Sequence, residues 1–136
     1  MTKLFNVAST IVGIFGGIIT SLLGGFDQIL IALITLIVLD YITGVCKAII
    51  KKKLSSAVGF KGLIKKVIIL IVVAVAVVIE GVMGDAIPIR EIVIMFFMCN
   101  EGISLLENAS EFVPIPEKLK EILIQLRETD DTNKSA

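Results

Sequence analysis

The chain contains no histidine and no tryptophan, and only one tyrosine, two cysteines and three prolines among its 136 residues. Without an imidazole there is no histidine-based proton transfer and no histidine metal ligand. Cys46 and Cys99 both sit inside apolar runs, so they offer neither a zinc quartet nor a disulfide framework. No nucleophile–base pair and no phosphate-binding glycine loop appears, and the carboxylates are scattered over separate segments. The expectation is a protein that is not an enzyme and holds no metal or cofactor. An excess of charge of one sign is missing too, since thirteen basic residues balance thirteen acidic ones; net charge indicates no nucleic-acid partner. Charge as a whole is scarce, at 19%, while 56% of residues are apolar. Soluble domains run at about 25% and about 45–50%. An ordinary water-soluble fold is therefore disfavoured.

What is present is long apolar segments. A hydrocarbon core about 30 Å thick needs about 20 helical residues, and four stretches have that size: residues 4–23, 28–50, 67–84 and 89–106. The third reads VIILIVVAVAVVI before Glu80, and its eleven Val, Ile and Leu residues outweigh one acid. The fourth opens with Arg90 and Glu91 and contains Asn100 and Glu101, so it inserts well only if those groups face protein or water. Runs this long exceed ordinary strands and lack the alternation of a membrane barrel. The reading is an all-α integral membrane protein. Its bundle has four transmembrane helices within residues 1–112, or three if the glycine-rich first segment lies flat. The first segment has a signal-like Lys3 before it but is too long and lacks a clear cleavage site.

Seven lysines without an intervening acid, Lys47, Lys51, Lys52, Lys53, Lys61, Lys65 and Lys66, cluster between the second and third segments. The positive-inside rule places a basic loop at 51–66 in the cytoplasm, and four spans bring both termini there as well. Lys51, Lys52, Lys53, Lys61, Lys65 and Lys66 would meet anionic headgroups, with Ser55 or Ser56 capping a short helix leading into the third span. Pro114 and Pro116 end the fourth helix. Beyond them Leu119, Ile122, Leu123 and Leu126 form one apolar stripe, so residues 113–136 read as a short cytoplasmic amphipathic helix that lies on the membrane or pairs with neighbours, followed by a disordered tail from Thr129.

Several residues carry physical content. Ser9, Gly13, Gly17, Ser21 and Gly25 recur every fourth position, a ridge on which another helix can pack closely in lipid, within the protomer or between copies. Asp40 shares a face with Gly44 and Ala48, which points it inward, either as a structural anchor paired to Lys47 or a loop lysine, or as a functional charge. Glu80 and Glu101 are further acids at membrane depth, and Arg90 is a cation within reach of the first. Asn100, Ser104, Glu107 and Asn108 make a polar stripe on the fourth helix. That stripe could line a water-filled lumen, glue the resting bundle, or mark where the helix leaves the bilayer.

LDYITGVCKAIIKKKLSSAVGFKGLIKK at 39–66, an apolar span, and NEGISLLENASEFVPIPEKLKE at 100–121 together resemble the toxin secretion/phage lysis holin family. The resemblance rests on Asp40, Gly44, Ala48, Lys51–Lys53, Ser55, Ser56, Gly59, Gly62 and Lys65, and then on Glu101, Ser104, Glu107, Asn108, Pro114, Pro116 and Leu119. It implies a homo-oligomer of the bacterial cytoplasmic membrane that opens lesions and releases an endolysin or a large toxin without binding it stably. Asp40, Glu80 and Glu101 would then be the groups able to sense depolarisation, since one elementary charge crossing the field is worth about 2.3 kcal/mol per 100 mV. Two other classes remain open: a small proton-coupled multidrug exporter, and an anti-holin or structural membrane subunit that assembles without opening.

Overall fold

The computed structural model of the protein describes residues 1–135, with side chains at all of them except 130, 131 and 133–135. Five helices follow one another, α1 (Thr2–Leu22), α2 (Gln28–Ile50), α3 (Ser56–Met83), α4 (Ile89–Ala109) and α5 (Glu117–Ser135). There is no strand among the described residues. Three of the helices, α1, α2 and α3, are long and apolar enough to cross a membrane.

Local chemistry sets the boundaries. Asp27 caps α2, its carboxylate accepting from the Leu30 N–H at 3.2 Å, and Ser55 caps α3 by accepting from the Val58 N–H at 3.2 Å. Helix α3 begins at Ser56 and runs unbroken through the lysines to Met83. Most of the expected basic loop is thus the first turns of a single helix, because no proline lies between Ser55 and the apolar run to interrupt it. Its end is set by Gly84 at φ +79°, and α4 starts directly after Pro88.

Helix α4 is the centre of the molecule. It packs on α2, α3 and α5, whereas α2 and α3 touch each other much less. The core is a narrow apolar seam of Leu23, Leu30, Leu33, Ile37, Ile69, Val73 and Ile94. The remaining faces of α2 and α3 are Val, Ile and Leu residues left bare, including Val38, Ile42, Ile71, Val75 and Val78. That inverts a soluble bundle and suits lipid as the surrounding medium. Helix α1 has no buried residue at all.

The C-terminal helix was expected to lie on the membrane or pair with neighbours; α5 lies against α4, with Leu123 over Gly102. The backbone is also helical to Ser135, where a disordered tail was expected from Thr129. Residues 117–135 contain neither proline nor glycine to stop the helix, and the hydroxyls of Thr129 and Thr132 bond back to the carbonyls of Gln125 and Glu128 at 2.8 and 2.9 Å. The final position of that expected tail, Ala136, lies outside the described residues.

Candidate functional site

The most polar place inside the bundle is built from one residue on each of three helices. Asp40 lies midway along α2, Lys66 ten residues into α3 and Glu101 midway along α4. The Lys66 ammonium donates to both the Asp40 and the Glu101 carboxylates. The two acid side chains are 7% and 9% exposed and the lysine 15%, so the group is shielded from its surroundings. The Asn108 amide completes it, donating to the Asp40 carboxylate at 3.0 Å, to the Asp40 carbonyl at 3.3 Å and to the Thr43 hydroxyl at 3.3 Å. No buried side-chain polar atom among the described residues lacks a partner. Gly44 faces this point of α4, where a Cβ on it would meet the Asn108 amide nitrogen at an ordinary contact distance of 3.5 Å.

Because α2 and α3 diverge beside this knot, a cavity of about 530 Å³ opens between them. Its polar wall is the knot with Ser104 and Lys65, and its other walls include Tyr41, Val58 and Ile69. The Tyr41 hydroxyl donates to the Gly59 carbonyl at 3.3 Å, and a Cβ on Gly62 would lie 3.4 Å from the tyrosine ring. On this side of the cavity, α2 meets α3 through a tyrosine against a glycine face.

A second polar group ties the opposite end of the bundle. The Arg90 side chain, 6% exposed, donates from Nε to the Leu23 carbonyl at 2.6 Å, from Nη2 to the Gly25 carbonyl at 3.0 Å, and from Nη1 and Nη2 to the Asp27 carboxylate at 2.7 and 3.0 Å. Hydrogen bonding from Arg90 holds the Asp27 carboxyl below its ordinary range. Gly24, at φ +80°, makes room, since a Cβ there would stand 2.6 Å from Arg90 Nε. Glu80 accepts the backbone N–H of Arg90 at 2.9 Å, so its carboxylate caps the first turn of α4 and leaves the guanidinium to Asp27. At the lysine-bearing end, Glu111 lies 3.1 Å from the Lys51 ammonium and 3.7 Å from that of Lys47, and Lys51 holds the Glu111 carboxyl below its ordinary range.

These contacts sort the residues singled out in the sequence. Asp40 and Glu101 come together, while Glu80 sits at the far end. Lys66 turns inward to the knot, and Lys51, Lys52, Lys53, Lys61 and Lys65 remain exposed. Of the polar stripe on α4, Ser104 and Asn108 face α2 and α3. Asn100 and Glu107 face α5, accepting from Arg127 at 3.5 Å and pairing with Lys120 at 3.4 Å. On α1, a Cβ at Gly13 or Gly17 would meet nothing within 4 Å, so that part of the small-residue ridge is unused inside the protomer. Ser9 and Ser21 are likewise exposed, Gly25 meets Arg90 only through its carbonyl, and Ala48 lines the cavity.

The sequence offered Lys47 or a loop lysine as the partner of Asp40; the partner is the loop lysine Lys66, and a signal singling it out existed. Lys66, Ile69, Val73 and Ala76 fall at i, i+3, i+7 and i+10, and the last three are the buried residues of α3. Asp27 was missed outright, because its partner lies 63 residues away.

Three long apolar helices, two of them tied to a fourth by ion pairs, define a small helical membrane protein. The chain belongs to the bacteriophage holin family, whose profile matches residues 17–128. A Clostridium perfringens protein described as an uncharacterized 14.9 kDa protein in the nagH 3′ region is 43% identical, covering 82% of this chain and 86% of that one. An uncharacterized protein of Listeria monocytogenes is 40% identical over 81% of this chain and 79% of its own length. A probable holin of Bacillus phage phi105 is 31% identical over 73% of this chain and 74% of its own. No solved structure matches.

Proposed function

We propose that the protein is a holin that accumulates in the bacterial cytoplasmic membrane, assembles with copies of itself and opens lesions through which an endolysin or a large toxin leaves the cytoplasm. The observation that carries this reading is the family match over residues 17–128, which takes in the whole α2–α4 bundle and its knot. The bare apolar faces of α2 and α3 supply the lipid-facing surface, and the unused ridge on α1 supplies a surface for neighbouring copies. The positive-inside rule puts the end bearing Lys47, Lys51, Lys52 and Lys53 in the cytoplasm, close to the lipid headgroups. Helix α4 is the fourth span: it runs parallel to α2, from Asp27–Arg90 at one end to Lys51–Glu111 at the other, with Glu101 paired in the knot and Arg90 paired to Asp27.

The test is expression in a bacterium, with and without a cytoplasmic endolysin, while membrane potential and culture density are followed. A sudden loss of potential, with lysis only when the endolysin is present, is expected. A membrane-inserted protein that never depolarises the cell would overturn the proposal. The 530 Å³ cavity beside two carboxylates is what the exporter reading would use; drug resistance with the potential intact would favour it.

A further inference from the structure

Helix α5 carries an inference that rests on the lesion reading above. It runs antiparallel to α4 and beside it: Lys120 pairs with Glu107, Leu123 sits on Gly102 and Arg127 reaches Asn100. Leu126 and Thr129 then border a cavity with Glu91 and Ile92, near the start of α4. Since α4 is itself coextensive with α2, this docking places α5 at the depth of the apolar spans. Its outer face is not apolar. Lys118, Glu121, Gln125 and Glu128 are exposed on the side opposite Leu123 and Arg127. Charged side chains are among the most costly to place in hydrocarbon, and within a membrane they face protein or a water-filled space.

We propose that the docked arrangement of α5 belongs to the open assembly, in which its outer face lines the water-filled lesion. Before a lumen exists, α5 lies at the cytoplasmic surface. The seam between α4 and α5 suits reversible docking: cavities of about 230 and 280 Å³ lie along it, both bordered by Met95, Cys99 and Leu126. Its fit is still specific, since a Cβ at Gly102 would come within 3.2 Å of Leu123. Asn100 of α4 faces Arg127 in this state and Glu107 pairs with Lys120 at the rim of the seam, so along most of α4 the outer wall is α5.

Two measurements on the full-length chain carrying Cys46→Ser test this. The first adds Leu126→Cys, which borders the same cavities as the native Cys99, and follows oxidative cross-linking between them in cells before and after an uncoupler triggers lysis. The cross-link should rise several-fold on triggering. The second uses dye-filled vesicles containing phosphatidylglycerol and, with Cys99→Ala, places a single cysteine at Gln125 or at Ala86, exposed in the α3–α4 turn. A bulky thiol reagent should cut dye release several-fold for Gln125→Cys and leave Ala86→Cys unchanged. Dye release without a block at Gln125→Cys, or a cross-link that is absent or equal before and after triggering, overturns the inference and leaves the lesion reading intact. No dye release even from the unsubstituted protein overturns the lesion reading itself, and this inference with it.

Discussion

Two arginine- or lysine-centred groups hold this protein together, and they differ in what surrounds them. At mid-depth, Lys66 joins Asp40 and Glu101 through side chains alone, each projecting from a different helix and each nearly sealed. At the far end, Arg90 gives two of its five side-chain hydrogen bonds to the carbonyls of the α1–α2 turn, and its main acid partner Asp27 is 47% exposed. Between helices in lipid, hydrophobic burial gives no net driving force, so polar contacts and close packing decide which faces meet. The mid-depth group therefore specifies the arrangement of three helices. The end group fastens a turn that water can reach and partly replace.

Breaking each group measures that difference. Lys66→Met strands two shielded carboxylates and should cost the most, about 3–5 kcal/mol, read as a lowered unfolding midpoint in detergent. Adding Asp40→Asn and Glu101→Gln should restore most of the loss; failure to do so would mean that lysine packing, not charge, holds the knot. Arg90→Met should cost less, about 2–3 kcal/mol, because Asp27 rehydrates. Gly24→Ala forces a left-handed residue against the same guanidinium, with strain of about 1–2 kcal/mol, and should lower the midpoint without altering the Lys66 group. Smaller still is the acid response of the end group. Asp27 has a depressed carboxyl, so its contribution is complete above the ordinary carboxylate value and is lost as pH falls through the depressed one. Unfolding midpoints should match at pH 7 and 5 and drop below about pH 4, with Asp27→Asn showing a shallower drop. Gly17→Leu should leave the protomer within about 0.5 kcal/mol of its parent while diminishing cross-linked ladders of copies in membranes.

The contrast also explains what the sequence made legible. The helical membrane character follows from segment length and composition, and the second apolar stretch coincides with α2 because Asp27 caps one end and the lysines flank the other. Asp40 was recognised as inward-facing from its small-residue face, since that information is local. The identity of its partner was not, because Lys66 stands in a run of lysines of identical composition and only helical phase with Ile69 and Val73 separates it from Lys65. The Arg90–Asp27 clamp and the docking of α5 join residues distant along the chain, and nothing local marks either. The extent of α5 was hidden for another reason: its last turns have no apolar stripe to announce them, only the lack of a residue that would end a helix.

Helix α1 has a consequence for how copies would come together. A surface that rests on nothing at home surrenders no internal contact when a neighbour covers it, so association needs no rearrangement of the bundle. Pairing would then obey two-dimensional mass action: negligible while copies are sparse, abrupt once their areal density passes a threshold. Under that rule the rate of synthesis becomes the clock.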